Sequence, residues 1–113
     1  MSADCLFCRI VAGDVPAEVV HRGGTTLAFR DVNPQAPTHV LVVPRDHHVD
    51  AASLAAADPA TYAELATTAR AVATAAGHDD FRLVFNTGAG AGQTVFHTHL
   101  HVLAGRPLTW PPG

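Results

Sequence analysis

Three histidines at alternate positions dominate a short apolar stretch near the end of the chain. His97, His99 and His101 lie within residues 97–103, where Thr98 and apolar side chains stand between and after them. In an extended strand, the three side chains would share one face about 6.6 Å apart, at roughly 3.3 Å of rise per residue. Imidazole has the ordinary pKa nearest neutral pH, so such a row can supply a nucleophile, an acid or base, and a metal ligand. The pattern therefore predicts an active site carried by a strand.

The same histidines support a second interpretation, in which all three hold a catalytic metal ion. Alternate strand positions supply paired metal ligands in unrelated enzymes, and such a mechanism needs no covalent intermediate. It predicts that chelation stops turnover in a protein that stays folded. A covalent mechanism instead predicts that turnover survives chelation, unless the loss of a structural metal unfolds the domain. The histidine pattern leaves both mechanisms open.

A glycine-rich segment leads directly into the histidine stretch. Residues 88–92 read Gly-Ala-Gly-Ala-Gly, and Gln93 and Thr94 follow them. The backbone N–H groups of such a turn can approach and hold phosphate oxygens, whereas the alternative is a flexible hairpin connection. A Walker loop is excluded because no Gly-Lys-Ser/Thr follows and a strand, not a helix, is expected next. The place of this segment beside three histidines favours phosphate binding.

The two cysteines form a separate motif at the start of the chain. Cys5 and Cys8 are spaced as Cys-x-x-Cys, which can be half of a zinc site, a redox pair or two small buried residues. Redox chemistry is disfavoured because the sequence lacks a thioredoxin-like setting. A structural disulfide is not expected in the reducing compartment that the sequence suggests.

The composition predicts one folded domain that spans residues 1–113. Hydrophobic residues make up 48% and charged residues 15%, which is typical of a globular chain whose core a dimer interface would enlarge. A net charge of −3 does not indicate the positively charged surface that general nucleic-acid binding requires. The first residues lack a secretory pattern, and no apolar run approaches the roughly 20 residues that cross a bilayer. We expect a cytoplasmic protein without nucleic-acid or membrane partners.

Hydrophobic periodicity and turn residues predict an α+β fold, with a mainly antiparallel five-stranded sheet and one long and one short helix. The short helix spans residues 3–12 and ends at Gly13. The long helix has an N-cap at Asp58 and a first-turn proline at Pro59, and it runs to Ala76. The second and third strands should pair as an antiparallel hairpin. The predicted strands span residues 16–21, 25–31, 38–43, 81–87 and 95–103.

The histidine stretch resembles the signature of the histidine-triad (HIT) family, in which three histidines alternate with apolar residues and two more apolar residues follow. Thr98 is the one polar departure. The resemblance covers nearly the whole chain, and residues 31–44, Asn86, 92–96 and 110–113 are similar to the Hint branch. It implies a HIT-like fold and a hydrolase of purine nucleoside 5′-phosphoramidates, that is, an adenosine 5′-monophosphoramidase. The reaction would pass through a nucleotidyl-histidine intermediate without a catalytic cofactor.

The same resemblance leaves other functions open. A dinucleoside polyphosphate hydrolase or a nucleotidyl transferase of the same family is one alternative, and a non-catalytic nucleotide-binding partner protein is another. The Trp-Pro-Pro-Gly ending favours the phosphoramidase branch. The implied partner is a purine nucleotide such as AMP, GMP or a phosphoramidate conjugate.

By position, the resemblance assigns roles to four histidines. His99 matches the nucleophile that attacks the α-phosphorus, a task for which neutral imidazole is competent. His101 matches a phosphate-contacting residue, and His97 is expected to donate toward the phosphate or the leaving group. His39 matches the histidine that orients the second ring nitrogen of the nucleophile and so fixes its tautomer.

The resemblance also implies a nucleotide-binding set. Asp31 matches the acid that accepts hydrogen bonds from the ribose hydroxyls, although it could instead cap a turn before Asn33. The base would lie among apolar side chains that could equally be plain core residues: Phe7, Ile10, Phe29 and Val32. The phosphate would contact His101 and four further residues, with Thr94 in place of the more usual serine: Asn86, Gly92, Gln93 and Thr94.

A structural zinc site is a further implication. Some bacterial members bind zinc through a cysteine pair and two histidines, and the matching positions here are Cys5, Cys8, His47 and His97. Two thiolates and two imidazoles make a closed tetrahedral site. His48 is expected to be either a substitute ligand or simply an exposed residue. His97 would then be either a ligand or a proton donor, and the sequence leaves this open.

Trp110 implies a partner subunit. A lone tryptophan beside two prolines at this end of the chain has little reason to be a core residue. In the family, this tail reaches the active site of the partner subunit and shapes the leaving-group pocket. The resemblance therefore implies a symmetric homodimer.

Overall fold

The computed structural model describes residues 4–113, which form one five-stranded sheet with three α-helices. In chain order the elements are α1 (Leu6–Ala12), β1 (Val19–Arg22), β2 (Thr26–Arg30), β3 (Thr38–Pro44), α2 (Ala51–Ala57), α3 (Pro59–Ala75), β4 (Arg82–Val84) and β5 (Leu100–Ala104). The strands lie in the order β1-β2-β3-β5-β4, and each neighbouring pair is antiparallel. The predicted α+β class, five-stranded sheet and β2–β3 hairpin are confirmed. No helix in the described part of the chain is long and apolar enough to cross a membrane.

The sheet has two covered faces, which we call the α3 face and the α1 face. On the α3 face, side chains of β2, β3 and β5 pack against α2 and α3: Ala28, Val40, Val42, Leu54, Leu65, Ala69, Val72, Ala73, Leu100 and Val102. On the α1 face, a second cluster packs together: Phe7, Leu27, Phe29, Leu41 and Val43. Successive side chains of a strand point to opposite faces, so β3 contributes to both clusters and is buried along its whole length. The same alternation turns His39 and His101 toward the α1 face.

Helix α1 presents the two cysteines from its first turn. Cys5 is the N-cap, and its Sγ accepts a hydrogen bond from the Cys8 N–H at 3.4 Å. The helix ends at Gly13, whose φ of 84° is the left-handed conformation that glycine adopts without strain. The predicted end is confirmed, and the helix begins at Leu6. Ala3, where the predicted helix starts, lies outside the described residues.

The prediction of one short and one long helix is wrong by one helix, because α2 precedes α3. Asp50 caps α2 by accepting a hydrogen bond from the Ser53 N–H at 2.9 Å. Leu54 is the one large apolar residue of this alanine-rich helix, so no clear hydrophobic period marks it in the sequence. Asp58 ends α2 and caps α3, whose first residue is Pro59 as predicted.

The histidine stretch is a strand only from Leu100 onward, so the strand predicted over residues 95–103 is wrong in its first half. The β3–β5 ladder ends at the pair of Val42 and Leu100, two residues before Pro44, which has no N–H to donate. The Pro44 carbonyl is also occupied, since it accepts a hydrogen bond from His97 Nε2–H at 2.9 Å. The first two histidines of the row therefore lie in an irregular segment, and only the third lies on the strand.

The last strand pair is shorter than predicted. β4 covers Arg82–Val84, not residues 81–87, and it pairs with β5. The glycine-rich segment between the two strands is not a tight hairpin, because it contains a 3-10 turn at Ala89–Ala91. Gly88 and Gly92 flank this turn with φ values of 85° and 93°, which favour glycine. The segment is an ordered loop that leads into the histidine stretch.

Candidate active site

His99 presents an unprotonated ring nitrogen to a cavity. Its Nδ1 lies 2.8 Å from the main-chain carbonyl of His97, and because a carbonyl only accepts, Nδ1 carries the proton. In the neutral ring, the lone pair is then on Nε2. His99 lines a cavity on the α1 face, and the ring of Phe7 packs against it edge-on with centroids 5.1 Å apart. The backbone carbonyl thus fixes the tautomer of the ring.

The orienting role predicted for His39 is wrong. His39 Nε2 lies 2.9 Å from His101 Nδ1, whereas His99 Nδ1 is bonded to the His97 carbonyl. The reason is the register of the β3–β5 pair, in which His101 lies opposite Leu41. His39, two residues before Leu41, is therefore the diagonal neighbour of His101 on the same face of the sheet. His39 therefore acts on the third histidine of the row.

A chain of hydrogen bonds fixes the proton of His101. The Gln35 N–H donates to His39 Nδ1 at 3.0 Å, so neutral His39 carries its proton on Nε2. The His39 Nε2–H donates to His101 Nδ1 at 2.9 Å. Asp31 Oδ2 also lies 3.4 Å from His39 Nε2. Neutral His101 must then hold its proton on Nε2, which is buried and has no hydrogen-bond partner among residues 4–113. A buried donor left without a partner is costly, unless an incoming oxygen accepts its hydrogen bond.

Burial keeps this histidine pair neutral near pH 7. Burial, together with the smaller effects of the nearby rings of His99 and His39, lowers the pKa of His101 to about 4, while Asp31 acts in the opposite direction. Burial also lowers the pKa of His39, and Asp31 partly offsets this effect. Neutral rings preserve the arrangement in which His101 Nε2 is a donor.

This burial predicts that the protein loses stability between pH 6.5 and pH 4. The unfolded chain holds His101 at its ordinary pKa of 6.5, whereas the folded pKa is about 4. As the pH falls, the unfolded state takes up the proton first, so the free energy of unfolding decreases across this window and is undiminished above it. We expect His101→Gln to flatten the pH dependence of urea unfolding. The control His21→Gln, on edge strand β1, should keep the native slope, and the same slope in His101→Gln would contradict the prediction.

The cavity beside His99 has a volume of about 250 Å³ and combines apolar walls with a few polar groups, as small-molecule sites do. It brings together eight of the predicted nucleotide-binding residues: Phe7, Ile10, Phe29, Asp31, Val32, Thr94, His99 and His101. It also contains six residues that the sequence did not predict: Leu6, Pro16, Ala17, Arg30, Leu41 and Val95. The sequence pattern could have identified two of these six residues. Leu6 lies one helical turn before Ile10 and so shares its helix face, and Leu41 lies two residues after His39 and so shares its strand face.

Asp31 caps a turn, which is one of its two predicted roles, and the ribose contact stays a prediction. Its Oδ1 accepts a hydrogen bond from the Asn33 N–H at 2.8 Å, which caps the turn. Its Oδ2 lies 3.4 Å from His39 Nε2, and the residue also lines the cavity. The carboxylate therefore links the turn, the histidine pair and the cavity.

The Gln93 side chain is not available to a phosphate, contrary to the prediction. The residue is buried, and its Oε1 accepts a hydrogen bond from the Gly88 N–H at 2.9 Å. Its Nε2 donates to the carbonyls of Val49 and Val95 at 2.7 and 3.1 Å. This amide holds the glycine loop against the segment before α2. Thr94, the next residue, does line the cavity.

Asn86 and Gly92 lie close together at the glycine loop, outside the residues that line the cavity. A Cβ built on Gly92 would lie 3.8 Å from Asn86 Nδ2, so the asparagine amide lies against the loop backbone. A phosphate contact by either residue stays a prediction.

Four predicted metal ligands converge beside α1. The ligand atoms of Cys5, Cys8, His47 and His97 all lie within 4.8 Å of one another, and we call this group the Cys-His cluster. His97 Nδ1 is 3.4 Å from Cys5 Sγ, 3.5 Å from Cys8 Sγ and 3.2 Å from His47 Nδ1. Cys8 Sγ is 3.4 Å from His47 Nδ1. Within the described residues, His48 is not part of the cluster.

These distances fit a tetrahedral zinc site. With Zn–N of about 2.05 Å and Zn–S of about 2.3 Å, tetrahedral angles separate two nitrogens by about 3.3 Å and a nitrogen from a sulfur by about 3.6 Å. The two imidazole nitrogens are 3.2 Å apart, and three nitrogen–sulfur pairs are 3.4–3.5 Å apart. His97 Nε2–H donates to the Pro44 carbonyl, so its Nδ1 lone pair faces the cluster. Burial lowers the pKa of His97 to about 4, which keeps the ring neutral as a ligand must be.

The ring of His97 faces away from the cavity. The residue is 0% exposed and does not line the cavity, and both of its nitrogens are engaged elsewhere. Of its two predicted roles, these contacts favour the ligand and contradict the leaving-group donor. They also contradict the three-histidine metal site, because His97 Nδ1 points to the thiols while His99 Nδ1 is bonded to a carbonyl.

Comparison with known proteins decides the family. A family model described as the HIT domain matches residues 12–108. The chain belongs to the HIT family. An uncharacterized HIT-like protein of Synechocystis sp. is 46% identical over 114 residues, and the alignment covers 100% of both chains. The resemblance stated from the histidine stretch is thereby confirmed.

Solved structures of HIT proteins share this fold. A HIT family hydrolase from Legionella pneumophila Philadelphia 1 has a TM-score of 0.92 and 46% identity, over 97% of this chain and 100% of that chain. A histidine triad protein from Clostridium difficile has a TM-score of 0.91 and 35% identity, over 96% of both chains. A 14 kDa zinc-binding protein of Zea mays is 39% identical over 111 residues, which are 96% of this chain and 87% of the relative. The predicted HIT-like fold is confirmed.

In this HIT chain, the C-terminal tail leaves Trp110 exposed. The Arg82 guanidinium donates to the carbonyls of Leu108 and Thr109 at 3.0 and 2.9 Å, which holds the tail beside β4. Trp110 is 83% exposed and does not line the cavity of its own chain. Within one chain, the tryptophan therefore does not complete the predicted leaving-group pocket.

Proposed function

We propose that the chain is a hydrolase that cleaves purine nucleoside 5′-phosphoramidates through a covalent nucleotidyl-His99 intermediate. The observation that carries the proposal is the 2.8 Å hydrogen bond from His99 Nδ1–H to the His97 carbonyl, which leaves the Nε2 lone pair as the free nitrogen at the cavity. Membership of the HIT family and similarity to the HIT family hydrolase of L. pneumophila support the reaction class.

The reaction has two displacements at the same phosphorus. First, His99 Nε2 attacks the α-phosphorus and the P–N bond breaks; the nitrogen keeps the electron pair, takes a proton from water and leaves as an amine. The ring now carries the nucleotidyl group on Nε2, and its Nδ1–H still donates to the His97 carbonyl, which stabilises the positive charge. A water molecule then attacks the phosphorus and loses a proton. The ring departs, and the nucleoside monophosphate is released.

His101 is the donor that we assign to the phosphate. Its Nε2–H is buried, borders the cavity through the His101 ring, and has no other partner in the described part of the chain. Positioned donors around the phosphoryl oxygens are the main source of catalysis in phosphoryl transfer. The Thr94 hydroxyl and the backbone N–H groups near Gly92 supply further donors in this proposal, with Asn86 beside them. No step requires a catalytic cofactor.

The apolar walls of the cavity suit a nucleoside. We assign the base to the surface formed by Phe7, Ile10, Phe29 and Val32, which lies on the α1 face of the sheet. Asp31 lines the same cavity, and its carboxylate can accept hydrogen bonds from both ribose hydroxyls. In this proposal the protein binds the base and the ribose of the substrate, and these residues do not contact the leaving amine.

Asp31→Asn is expected to weaken AMP binding about tenfold, because a hydrogen bond to a charged acceptor contributes about 1.5–3 kcal/mol. The amide keeps the oxygen that accepts from the Asn33 N–H, so the turn should persist. The measurement is calorimetric titration with AMP and 2′-deoxy-AMP, between which the variant should discriminate less. The control Asp79→Asn changes an exposed carboxylate and should leave both affinities unchanged. Equal affinity of the native protein for both ligands would contradict the ribose assignment.

The Cys-His cluster is the proposed site of a structural zinc ion. Cys5 is the N-cap of α1 and Cys8 lies in its first turn, while His47 comes from the loop after β3 and His97 from the histidine stretch. A closed set of two thiolates and two imidazoles crosslinks these three segments and leaves no open position to activate water. The zinc-binding protein of Zea mays, as a relative, supports this proposal.

A symmetric homodimer is part of the same proposal. It rests on Trp110, a large aromatic residue that is 83% exposed and does not line the cavity of its own chain. In a dimer, the tail of each subunit would complete the leaving-group pocket of the other. The net charge of −3 gives no support for a nucleic-acid partner.

The test is AMP release from adenosine 5′-phosphoramidate by the metal-loaded protein, with a diadenosine polyphosphate assayed in parallel. Faster turnover of the phosphoramidate, with a nucleotidyl adduct detected by mass spectrometry after acid quenching, is the expected result. Preference for the dinucleotide would instead assign a dinucleoside polyphosphate hydrolase. AMP binding without turnover of either compound would overturn the catalytic proposal and leave a nucleotide-binding protein.

A further inference from the structure

We propose that the Cys-His cluster is also a positioning site for the nucleophile, so that the ion it binds sets how well the cavity accepts a nucleotide. The proposal rests on the nucleotide chemistry and the zinc site proposed above. It assigns two positioning residues: His97, which orients the His99 nucleophile, and Phe7, which holds the cavity wall that meets the nucleotide.

His97 joins the cluster to the nucleophile within a single residue. Its ring is held at both nitrogens, with Nδ1 at 3.4–3.5 Å from the two thiols and Nε2–H on the Pro44 carbonyl at 2.9 Å. Its main-chain carbonyl accepts the proton of His99 Nδ1 at 2.8 Å. The peptide plane of this carbonyl is also held on its other side, because the Thr98 N–H donates to the carbonyl of His48, the residue after His47, at 2.7 Å. An ion that fixes both His97 and His47 therefore fixes this peptide, which keeps the His99 proton on Nδ1 and the lone pair on Nε2.

Phe7 provides a second link, because it lies between the two thiols on α1. Its ring packs edge-on against the ring of His97, with centroids 5.9 Å apart, and against the ring of His99, with centroids 5.1 Å apart. Phe7 also lines the cavity. The segment that brings both thiols to the cluster thus also forms a wall of the nucleotide pocket.

The length of α1 makes this wall dependent on the cluster. The helix has seven residues, and helices this short are not stable on their own, so tertiary contacts must hold α1 in place. An ion that binds both thiols fixes the N-terminal end of α1 to His97 and His47. Loss of the ion leaves α1 with its apolar contacts, those of Phe7, Ile10 and Val11, to hold the wall.

The experiment titrates Co²⁺, and separately Zn²⁺, into the chelated full-length protein. We expect the AMP dissociation constant to fall at least about fivefold between zero and one equivalent of metal. The proton NMR signal of His99 Nδ1–H should sharpen at the same equivalence point, because the His97 carbonyl then has one orientation. Circular dichroism at each point monitors the fold.

Two results would overturn the proposal. One is a change of less than about twofold in AMP affinity together with an unchanged His99 signal. The other is complete unfolding of the chelated protein, because the cluster would then hold the fold without a separate effect on the nucleotide.

Single-ligand variants test the same link without a chelator. Cys5→Ser and His47→Ala each remove one ligand from a different segment, and both should weaken AMP binding and broaden the His99 signal. Cys5→His supplies a replacement ligand and should restore both readouts. His48→Ala is the matched control, since the neighbouring side chain lies outside the cluster. Native affinity in both ligand-removal variants would contradict the proposal.

The readouts also separate this proposal from the proposed reaction. Metal-dependent AMP affinity without phosphoramidate turnover would support the positioning role and overturn the hydrolase. Phosphoramidate turnover with metal-independent AMP affinity would overturn the positioning role and support the hydrolase.

Discussion

His99→Ala is expected to lower phosphoramidate turnover at least about 10⁴-fold at saturating substrate, because it removes the atom that bonds to phosphorus. Neighbouring histidines cannot replace it. His101 has its lone pair on Nδ1, which is bonded to His39, and the ring of His97 faces the Cys-His cluster. The measurement is AMP release in single-turnover and steady-state assays.

The loss of turnover should occur without loss of the fold or of AMP binding. The His99 ring lines a cavity, so its removal enlarges a space that is already open to ligand. His21→Ala is the control for histidine removal, since His21 lies on edge strand β1 away from the cavity. Acid-quenched native protein should carry the nucleotidyl adduct, and the variant should not. Turnover within about tenfold of native in His99→Ala would place the attack on another group.

Removal of the cluster ion is expected to have the largest effect on stability. Chelation should lower the free energy of unfolding by about 4 kcal/mol, which is the contribution of a ligand present at a thousand times its dissociation constant. This is a large part of the roughly 5–15 kcal/mol that stabilises a folded domain. Urea unfolding at constant pH, with and without chelator, measures the difference.

Cys8→Ser should reproduce the effect of chelation and lose further sensitivity to the chelator. His48→Ala should keep both the native stability and the native response. Co²⁺ bound in place of zinc should give the visible absorption of a tetrahedral thiolate site, and Cys8→Ser should abolish it. An identical urea midpoint for native protein with and without chelator would show that the cluster holds no stabilising metal.

The sequence predicts the elements whose signals are local. The short apolar runs of β2 and β3, bounded by turn residues, and the capped, periodic helix α3 each identify their element with no knowledge of the rest of the chain. The paired spacing of Cys5 and Cys8 predicts a half-site because one helical turn brings both thiols together. α2 carries no such signal, since a single leucine among alanines defines no face.

The predictions that the structure contradicts concern the contacts of individual side chains, which depend on the register of the strands and on how the loops close. His39 contacts His101 because of the β3–β5 register, and no local pattern specifies that register. Gln93 lies within a phosphate-binding pattern, yet its amide satisfies three backbone groups that only the closed loop brings together. The His97 ring does not reach the cavity because the strand ladder stops at Leu100 and the Pro44 carbonyl accepts the hydrogen bond of that ring.

The residues that line the cavity are of two kinds, those that lie on strands of the sheet and those that lie on connecting segments. His101 and Leu41 stand on the two central strands, whereas Val32, Pro16 and Ala17 stand on connecting segments at the rim, and Val32 is 100% exposed. Substitutions at the rim therefore change the surface proposed to meet the base, while the proposed nucleophile keeps its support. In terms of directed evolution, the proposed function makes nucleobase preference and bond-breaking chemistry separately mutable, and a library confined to the three rim positions would sample the first without risking the second.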